Sequence, residues 1–182
     1  MNQQLDNTKN VDKQEAVVTS VYDWVGAAVI ALVVVSLVFS LFCRVVNVSG
    51  DSMKNTFHDG EKLLLSGVVT PDYGDVVVLR RDNDTPLIKR VIGLPGDVIS
   101  IREGVVYRNG EALDEPYTMD GFTDNKQLKT AYTVPKGGIF VLGDNRIGSE
   151  DSRYYKDALT MSDVVGVITF RLNPFEYLGD GE

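Results

Sequence analysis

A serine and a lysine, in two separate stretches of this chain, have the neighbours that a catalytic pair needs. Ser52 follows a Gly-Asp turn at the end of an extended apolar run, in residues 48–53 (VSGDSM). Lys89 lies inside the apolar stretch of residues 87–92 (LIKRVI). A serine hydroxyl is a weak nucleophile until a base removes its proton, and a desolvated lysine amine can be that base. The two residues are therefore a candidate nucleophile and general base for acyl transfer.

The neighbours of Lys89 predict an apolar environment for its amine. In an extended strand alternate residues share a face, so Leu87 and Val91 flank the lysine on the same side. Burial disfavours the ammonium form and lowers the pKa of a lysine, by several units where burial is complete. The alternative is that Lys89 extends its long apolar stem and places its charge in solvent.

Other catalytic arrangements have less support in the sequence. The Gly-x-Ser-x-Gly elbow is absent around Ser52, because Lys54 occupies the second glycine position. A Ser-x-x-Lys motif is absent too, since Asn55 stands at the lysine position. A Ser-His-Asp triad would depend on His58, the single histidine, which lies in a turn-like stretch typical of a surface. We expect His58 to be dispensable, and without a Cys/His cluster we expect neither a metal nor another cofactor.

One long uncharged run precedes the nucleophile. Residues 25–43 carry no charge, and at about 1.5 Å per residue a helix of this length spans most of a hydrocarbon core of roughly 30 Å. Trp24 and Tyr22 stand at its start, where aromatic rings favour the membrane interface. A buried core helix usually keeps a polar side, and this run has only two serines. The sequence predicts a transmembrane anchor over residues 24–44, preceded by a polar, mobile tail over residues 1–23.

The anchor is expected to be retained. Its run is longer than the apolar region of a typical signal peptide, and no small-x-small cleavage site follows it. Cys43, the single cysteine, excludes an intrachain disulfide and lacks the preceding small residue that lipoprotein processing requires. Lysine and arginine lie on both sides of the run, so the positive-inside rule leaves the orientation open.

The rest of the chain has the pattern of a β-rich domain. Short apolar runs bounded by Gly, Pro and Asp predict strands over residues 45–48, 62–65, 75–80, 87–92, 98–101, 105–108, 111–113, 138–142 and 164–170. Asn109-Gly110 predicts a type I′ hairpin turn. Residues 114–133 are polar and turn-rich, which indicates a surface excursion, and residues 156–162 have a faint helical pattern.

The predicted fold class is therefore mainly β. A single N-terminal transmembrane helix is followed, over residues 45–182, by a coiled or closed antiparallel sheet with a small β-hairpin insertion at about residues 103–135. The chain has 182 residues and a formal net charge of −8, and its β-rich part is itself acidic. Nucleic-acid binding needs a basic face, so no nucleic-acid partner is expected. An acidic domain is not drawn to anionic lipid either, so contact with the lipid bilayer would come from the anchor and apolar surface close to it.

A third informative stretch, residues 143–153 (GDNRIGSEDSR), directly follows an apolar strand. Together with SGDSM at residues 49–53, GDVVVL at 74–79 and KRVIGLPGD at 89–97, in this order behind an anchor, it resembles the type I signal peptidases. The resemblance covers the anchor and nearly all of the following domain. It implies a membrane-bound serine endopeptidase that removes signal peptides from exported preproteins, with its catalytic domain outside the cytoplasmic membrane.

The resemblance also implies a role for five side chains. Ser52 is the nucleophile and Lys89 the general base. Ser149 occupies the position whose hydroxyl orients the lysine amine, and Asp151 and Arg153 match a pair that buttresses the site.

The oxyanion hole is implied only in part. By the resemblance, the backbone N–H of Ser52 is one donor. Some members carry a serine hydroxyl two residues earlier, where this chain has Gly50, so the second donor stays open between a backbone group and a water. Asn55 replaces a proline that the family usually carries, so we expect a slightly different turn there with activity retained.

The implied substrate is an extended signal peptide with small residues one and three positions before the cut. It is expected to add as a strand beside the segment leading to Ser52 and beside a second stretch, with shallow apolar pockets for those small residues. The candidate residues of that second stretch are Asp75, Val76, Val77 and Val78. Because Ser52 follows Cys43 by only nine residues, the nucleophile is expected near the bilayer surface, where the scissile bond emerges.

Two other interpretations were weighed. The self-cleaving repressors of the SOS type use the same dyad, but they are cytoplasmic and lack an anchor, so residues 25–43 argue against them. A noncatalytic anchored β-domain that binds exported chains, or scaffolds a complex, is the alternative from another class. Such a domain has no need of Ser52, Lys89 and Ser149 together, and a cleavage assay with a mapped new N-terminus distinguishes the two.

Overall fold

A computed structural model describes residues 2–80, 86–155, 157–173 and 175–178 of the chain. The chain divides into two compact units, Met1–Phe42 and Cys43–Glu182.

The first unit is one α-helix, α1, which spans Asn2–Phe42. Within it, Thr19–Ser40 is long and apolar enough to cross a membrane, with 22 residues and a mean hydropathy of 2.2, and none of this span is buried within the protein. A polar, mobile tail was expected over residues 1–23, but residues 2–23 are helical. They contain neither glycine nor proline to interrupt the helix. The helix ends at Phe42, short of the expected anchor end at residue 44, because Cys43 and Arg44 begin the first strand.

The described part of the second unit contains twelve strands, which apolar and β-branched runs form between Gly, Pro and Asp turns. In chain order they are β1 (Cys43–Asn47), β2 (Lys62–Ser66), β3 (Val76–Arg80), β4 (Pro86–Gly93), β5 (Val98–Arg102), β6 (Val105–Arg108), β7 (Glu111–Ala112), β8 (Tyr132–Thr133), β9 (Gly138–Leu142), β10 (Leu159–Thr160), β11 (Val164–Leu172) and β12 (Phe175–Tyr177).

The larger sheet has the strand order β1-β2-β11-β3-β4-β9-β10, with β12 paired to β11. The pairs of this sheet are antiparallel, so the mainly β antiparallel class expected from the sequence is confirmed. Among the described residues the end strands β1 and β10 do not pair with each other, so the sheet is curled rather than closed. β11 lies between β2 and β3, and so joins the β1–β2 pair to the β3–β4 pair.

A second, smaller sheet has the order β7-β6-β5-β8. β6 and β7 form the expected hairpin, and Asn109 (φ 54°) and Gly110 (φ 88°) have the positive φ values of a type I′ turn. The sheet begins at Val98, ahead of residue 103 where the insertion was expected to begin, because β5 pairs with both β6 and β8.

The faint helical pattern of residues 156–162 does not form an α-helix. The described residues there contain β10 and a short 3₁₀ helix, Met161–Asp163, while Lys156 lies outside the described residues. The Asp163 carboxylate accepts hydrogen bonds from the N–H (2.7 Å) and the hydroxyl (2.8 Å) of Thr160, and these bonds favour a capped turn over a continuing helix.

Candidate active site

Hydrogen bonds close the base of the turn that carries Ser52. The N–H of Val48 donates to the carbonyl of Glu61 (2.8 Å), and the N–H of Gly60 donates back to the carbonyl of Val48 (3.0 Å). Gly50 has a φ of +84°, which glycine adopts without a Cβ penalty, and it reverses the chain just ahead of the serine. The turn therefore presents a half-buried Ser52 at its tip.

Two backbone N–H groups near the nucleophile, those of Gly50 and Ser52, differ in whether they already donate a hydrogen bond. The N–H of Gly50 donates to Asp59 Oδ1 (2.9 Å), so it is not free to serve as the second oxyanion donor. In the described part of the chain the N–H of Ser52 makes no hydrogen bond. The backbone N–H of Ser52 therefore remains the candidate donor to a developing oxyanion.

Burial fixes the chain that follows the nucleophile. Met53 and Phe57 are each 1% exposed within one core cluster, and burying side chains of this size contributes roughly 1.5–3 kcal/mol each. Between them, Asn55 has a φ of +92°, which proline cannot adopt because its ring holds φ near −65°. Its side-chain Nδ2 donates to the carbonyl of Tyr117 (3.1 Å). The turn thus differs from one built around proline.

β4 brings Lys89 to Ser52. The lysine is 3% exposed, so it does not extend to solvent, and its Nζ donates a hydrogen bond to Ser52 Oγ at 2.7 Å. Burial lowers the pKa of Lys89 from 10.5 to about 8, against the attraction of the Asp151, Asp144 and Glu150 carboxylates. A substantial fraction of the amine is therefore neutral near pH 8, and the neutral amine can accept the serine proton.

Ser149 lies in the same site, and it is 3% exposed. A Cβ built on Gly143 would overlap both the Ser149 side chain and the carbonyl of Ser52, so both groups lie against this glycine. Among the described residues the Ser149 hydroxyl has no hydrogen-bond partner. The expected bond between the Ser149 hydroxyl and the Lys89 amine is thus not formed here, and the hydrogen bond of Nζ goes to Ser52 Oγ.

Asp151 and Arg153 form a fully buried ion pair. Arg153 donates from Nε to Oδ1 and from Nη2 to Oδ2 of Asp151, both at 2.8 Å. Asp151 Oδ2 also accepts from the N–H of Gly143 (3.1 Å), and Arg153 Nη2 donates to the carbonyl of Arg146 (2.7 Å). A buried pair needs such additional bonds to offset desolvation, and here they stabilise the loop of residues 143–153.

A second buried ion pair involves residues that the sequence did not single out. Arg90 donates from Nε to Oδ1 (2.9 Å) and from Nη2 to Oδ2 (2.6 Å) of Asp144. Arg90 Nη1 also donates to the carbonyl of Gly74 (2.8 Å), and the Thr56 hydroxyl donates to Asp144 Oδ2. One buried carboxylate thus connects β4, the loop and the nucleophile turn. In the sequence, the only indication of this ion pair was that Arg90 and Asp144 carry opposite charges and lie in two of the motifs, residues 89–97 and 143–153.

Asn145 attaches the loop directly to the nucleophile. Its N–H donates to the carbonyl of Ser52 (3.0 Å), and its Nδ2 donates to the carbonyl of Asp51 (3.0 Å). Its Oδ1 accepts from the N–H of Gly148 (3.0 Å), which fixes the orientation of the amide. Asn145 therefore holds the Ser52 backbone against the loop that carries Ser149.

The structure does not give Val77 and Val78 the free edge expected for substrate. β3 pairs with β4 along its length, and Val77 and Val78 also pair with β11, so both of their edges are occupied. Asp75 and Val76 lie at the start of this buried strand, and the Asp75 carbonyl accepts the N–H of Val91 (2.8 Å). The prediction missed this because β11 comes from a distant part of the chain.

A free edge lies instead on the first half of β4. β9 pairs with β4 only from Arg90 onward, so within the described residues Leu87, Ile88 and Lys89 pair on the β3 side alone. An extended peptide adding there would run directly past the Lys89 amine.

His58 lies outside this constellation. Its imidazole is largely exposed, and it contacts Glu61 (Nδ1 to Oε1, 3.4 Å). Among the described residues, no group of three or more His, Cys, Asp or Glu side chains is arranged to hold a metal ion.

Comparison with known proteins shows extensive similarity to one family. The profile of the family described as Signal peptidase, peptidase S26, matches residues 21–173. The chain is 35% identical over 180 residues to signal peptidase I S of Bacillus subtilis strain 168, covering 92% of this chain and 95% of that protein. It is 32% identical over 174 residues to signal peptidase IB of Staphylococcus aureus strain COL, covering 85% and 91%.

Among solved structures, the chain is similar to a crystal structure of a signal peptidase I from Enterococcus faecalis V583. The identity is 32% and the TM-score 0.47, over 56% of this chain and 99% of that one.

Proposed function

This chain belongs to the signal peptidase family, peptidase S26, and from that premise we propose that Ser52 and Lys89 are its nucleophile and general base. The chain is a membrane-anchored serine peptidase that removes signal peptides from preproteins. One observation carries the assignment of the two residues: a lysine that is 3% exposed places Nζ 2.7 Å from a serine Oγ. That distance is within direct proton-transfer reach.

Acylation follows from this geometry. The neutral Lys89 amine takes the proton of the Ser52 hydroxyl as Oγ attacks the carbonyl carbon of the scissile bond. The carbonyl oxygen then carries the negative charge of the tetrahedral intermediate, and the N–H of Ser52 points a partial positive charge at it. As the C–N bond breaks, the Lys89 ammonium returns the proton to the leaving amine, which becomes the new N-terminus of the exported protein.

Deacylation repeats the sequence with water. The amine, neutral again, takes a proton from water as the water oxygen attacks the ester carbon. Collapse of the second tetrahedral intermediate breaks the bond to Oγ, which recovers its proton from Lys89. The signal peptide leaves with a new carboxylate terminus, and the dyad is restored.

The supporting roles rest on the same geometry. Ser149 lies against Gly143 beside the Ser52 carbonyl, and by the resemblance its hydroxyl orients the Lys89 amine. The Asp151–Arg153 pair stabilises the loop that carries Ser149. Among the neighbouring carboxylates, Asp151 also has the largest effect in raising the pKa of Lys89 against the effect of burial. The pair thus combines a structural and an electrostatic role.

The signal peptide is proposed to bind as a strand along the free edge of β4 at Leu87, Ile88 and Lys89. Main-chain hydrogen bonds there are independent of side chains, which suits a substrate class of varied sequence. The segment leading to Ser52 forms the other wall, and small residues before the cut fit a shallow space between the two. The resemblance further supports a single-pass protein of the cytoplasmic membrane, with its catalytic unit on the extracytoplasmic side.

Cleavage of a preprotein tests the proposal. The full chain in detergent is incubated with a preprotein, and the N-terminus of the product is sequenced. We expect one cut after a small residue for wild type and for His58→Ala, and none for Ser52→Ala. A wild-type protein that binds the preprotein without cutting it would support the noncatalytic alternative, and equal losses in His58→Ala and Ser52→Ala would support a histidine base.

A further inference from the structure

Residues 115–119, here named the strap, lie between β7 and β8, in the region that the sequence indicated as a surface excursion. The structure places them differently. The strap contacts the nucleophile turn, β4 and the loop of residues 143–153, through one ion pair, one ring contact and two backbone groups.

The ion pair joins the strap to the loop. Arg146 donates from Nη2 to Oε1 (2.6 Å) and from Nη1 to Oε2 (2.8 Å) of Glu115, and the arginine side chain is fully buried. Arg146 Nε also donates to the carbonyl of Gly143 (3.0 Å), the residue against which Ser149 lies. Glu115 thus stabilises the conformation of the loop at its point of contact with the site.

The ring contact joins the strap to β4. The guanidinium of Arg90 lies over the ring of Tyr117, with Cζ 4.0 Å from the ring centroid, and the Tyr117 hydroxyl donates to Glu115 Oε1 (2.9 Å). Arg90 is adjacent to Lys89 in the strand and holds Asp144 with two hydrogen bonds. The ring therefore shields the ion pair beside the catalytic lysine from solvent.

The backbone groups complete the connection. Asn55 of the nucleophile turn donates from Nδ2 to the carbonyl of Tyr117 (3.1 Å), and the N–H of Met119 donates to the carbonyl of Asp144 (3.2 Å). The three segments of the active site, distant in sequence, each contact these few residues.

We propose that the strap is a positioning element of the active site, in which Tyr117 and Glu115 hold the nucleophile turn, β4 and the loop in the arrangement that aligns Lys89 with Ser52. This inference rests on the proposed function. Within the described part of the chain no hydrogen bond or ion pair joins a strap residue to Ser52 or Lys89, so Tyr117 and Glu115 act through Arg90 and Arg146.

The direction of the effect follows from the charges around Lys89. The carboxylates of Asp151, Asp144 and Glu150 and the guanidinium of Arg153 act on its amine. Removing the Tyr117 ring opens the Arg90–Asp144 pair beside Lys89 to water, which leaves the amine less desolvated. Weaker desolvation favours the ammonium form and raises the pKa of Lys89. Catalysis then needs a higher pH, while the free edge of β4 that binds peptide is unchanged.

The first experiment measures kcat and KM against pH for the full chain in detergent, with a peptide that spans a signal-peptide cleavage site. For Tyr117→Leu we expect kcat at pH 7 to fall about tenfold or more with KM within about twofold, since small misalignments of reacting groups are costly. The rise of kcat should also move up by about half a pH unit. Tyr117→Phe keeps the ring and should behave as wild type.

The chain offers a matched control. Arg102 stacks on the ring of Tyr107 with Cζ 4.2 Å from the centroid, in the smaller sheet and away from the dyad. Tyr107→Leu therefore removes the same kind of contact, and its pH profile should match wild type. A Tyr117→Leu enzyme with the kcat and the pH profile of Tyr107→Leu would overturn the proposal.

A second pair of variants covers the case in which Tyr117→Leu does not fold. Glu115→Gln keeps the side-chain shape and removes the charge that pairs with buried Arg146, whereas Asp114→Asn makes the same charge change at an exposed neighbour. We expect the fall in kcat, with KM within about twofold, for Glu115→Gln alone. Wild-type behaviour of Glu115→Gln would contradict the role of the strap.

A readout independent of cleavage separates this inference from the proposed function. The Lys89 ε-methylene is followed by NMR against pH in lysine-labelled protein, with Lys89→Met identifying the resonance. We expect a higher pKa in Tyr117→Leu than in wild type, and no change in Tyr107→Leu. Absence of cleavage by wild type would refute the proposed function alone; an unchanged Lys89 pKa in Tyr117→Leu would refute the strap.

Discussion

The protonation of Lys89 sets the rate if the lysine is the base. Burial lowers its pKa from 10.5 to about 8, so kcat/KM should rise with pH through a midpoint of about 8. Lys89→Arg keeps the positive charge but cannot lose its proton, so we expect a loss of about 10²- to 10⁴-fold, as large as for Lys89→Ala. Steady-state rates from pH 6 to 10 provide the measurement. Substantial activity in Lys89→Arg, with unchanged thermal unfolding, would leave the lysine only an electrostatic role.

The same burial has a cost in stability. The folded pKa of Lys89 is below its unfolded value of 10.5, so between about pH 8 and 10.5 the unfolded chain binds more protons and stability rises with pH. Below about pH 8 the full cost is present, at about 3 kcal/mol, since each pKa unit is worth about 1.4 kcal/mol. Lys89→Met should therefore raise the free energy of unfolding at pH 7, by an amount that shrinks toward pH 10.5. Urea unfolding at pH 7 and pH 10 tests this, and a variant less stable than wild type at pH 7 would contradict it.

Replacing Ser149 should affect catalysis and stability differently. Its buried hydroxyl has no hydrogen-bond partner among the described residues, so Ser149→Ala removes a polar group whose desolvation is uncompensated. We expect thermal unfolding to be unchanged or slightly higher, while kcat falls about tenfold or more through loss of alignment of the amine. Calorimetry together with steady-state kinetics provides the two readouts. A large loss of stability would mean that the hydroxyl has a structural partner.

Single residues were predictable where their neighbours constrained them. The Gly-Asp turn before Ser52 and the apolar residues around Lys89 pointed to a serine presented by a turn and a buried amine, and the structure shows this placement of both residues. Arg90 and Asp144 were not predictable, because a charged residue in a motif has no assigned partner until the strand order places one beside it. The positive φ of Asn55 was likewise hidden, since asparagine adopts both signs of φ.

At the scale of elements, the loop of residues 143–153 depends on buried charge. Asp144 is fully buried and accepts two hydrogen bonds from Arg90 and one from the Thr56 hydroxyl. Asp144→Asn removes the charge but keeps the shape, and breaking a buried pair typically costs about 3–5 kcal/mol. We expect a loss of this size in urea unfolding, and little change for Asp120→Asn, which alters an exposed residue. Equal stabilities of the two variants would show that the pair is not a stabilising contact.

Strands of four or more residues were predictable from apolar runs bounded by turn residues, as β4, β6 and β9 illustrate. The two-residue strands β8 and β10 were not, because neither contains an apolar run. The order in which the strands pair could not be predicted from the sequence either. The expected substrate edge on β3 was occupied because β11 inserts beside it, and nothing local to residues 75–80 indicates that neighbour.

At the scale of the molecule, the second unit carries the whole dyad and its supporting loop. A fragment of residues 43–182 retains β1 through β12 and the three buried core clusters. We expect it to show a β-type circular dichroism spectrum and to cleave a short signal peptide in detergent. A fragment of residues 48–182 lacks β1 and exposes the edge of β2, so its thermal midpoint should be lower. A disordered fragment 43–182 would show that α1 is needed for folding.

The position of β11 in the larger sheet determines when the active site can form during synthesis of the chain. Ser52 belongs to the β1–β2 side of the sheet and Lys89 to the β3–β4 side, and β11 joins the two. Its contacts are remote: Thr169 bonds to Leu64 across 105 residues of sequence. A nascent chain that already contains Ser52, Lys89 and Ser149 still lacks the strand that joins the two halves of the larger sheet. If Ser52 and Lys89 are the dyad, we therefore expect the peptidase to stay inactive during its own synthesis until β11, one of its last segments to be made, enters the sheet.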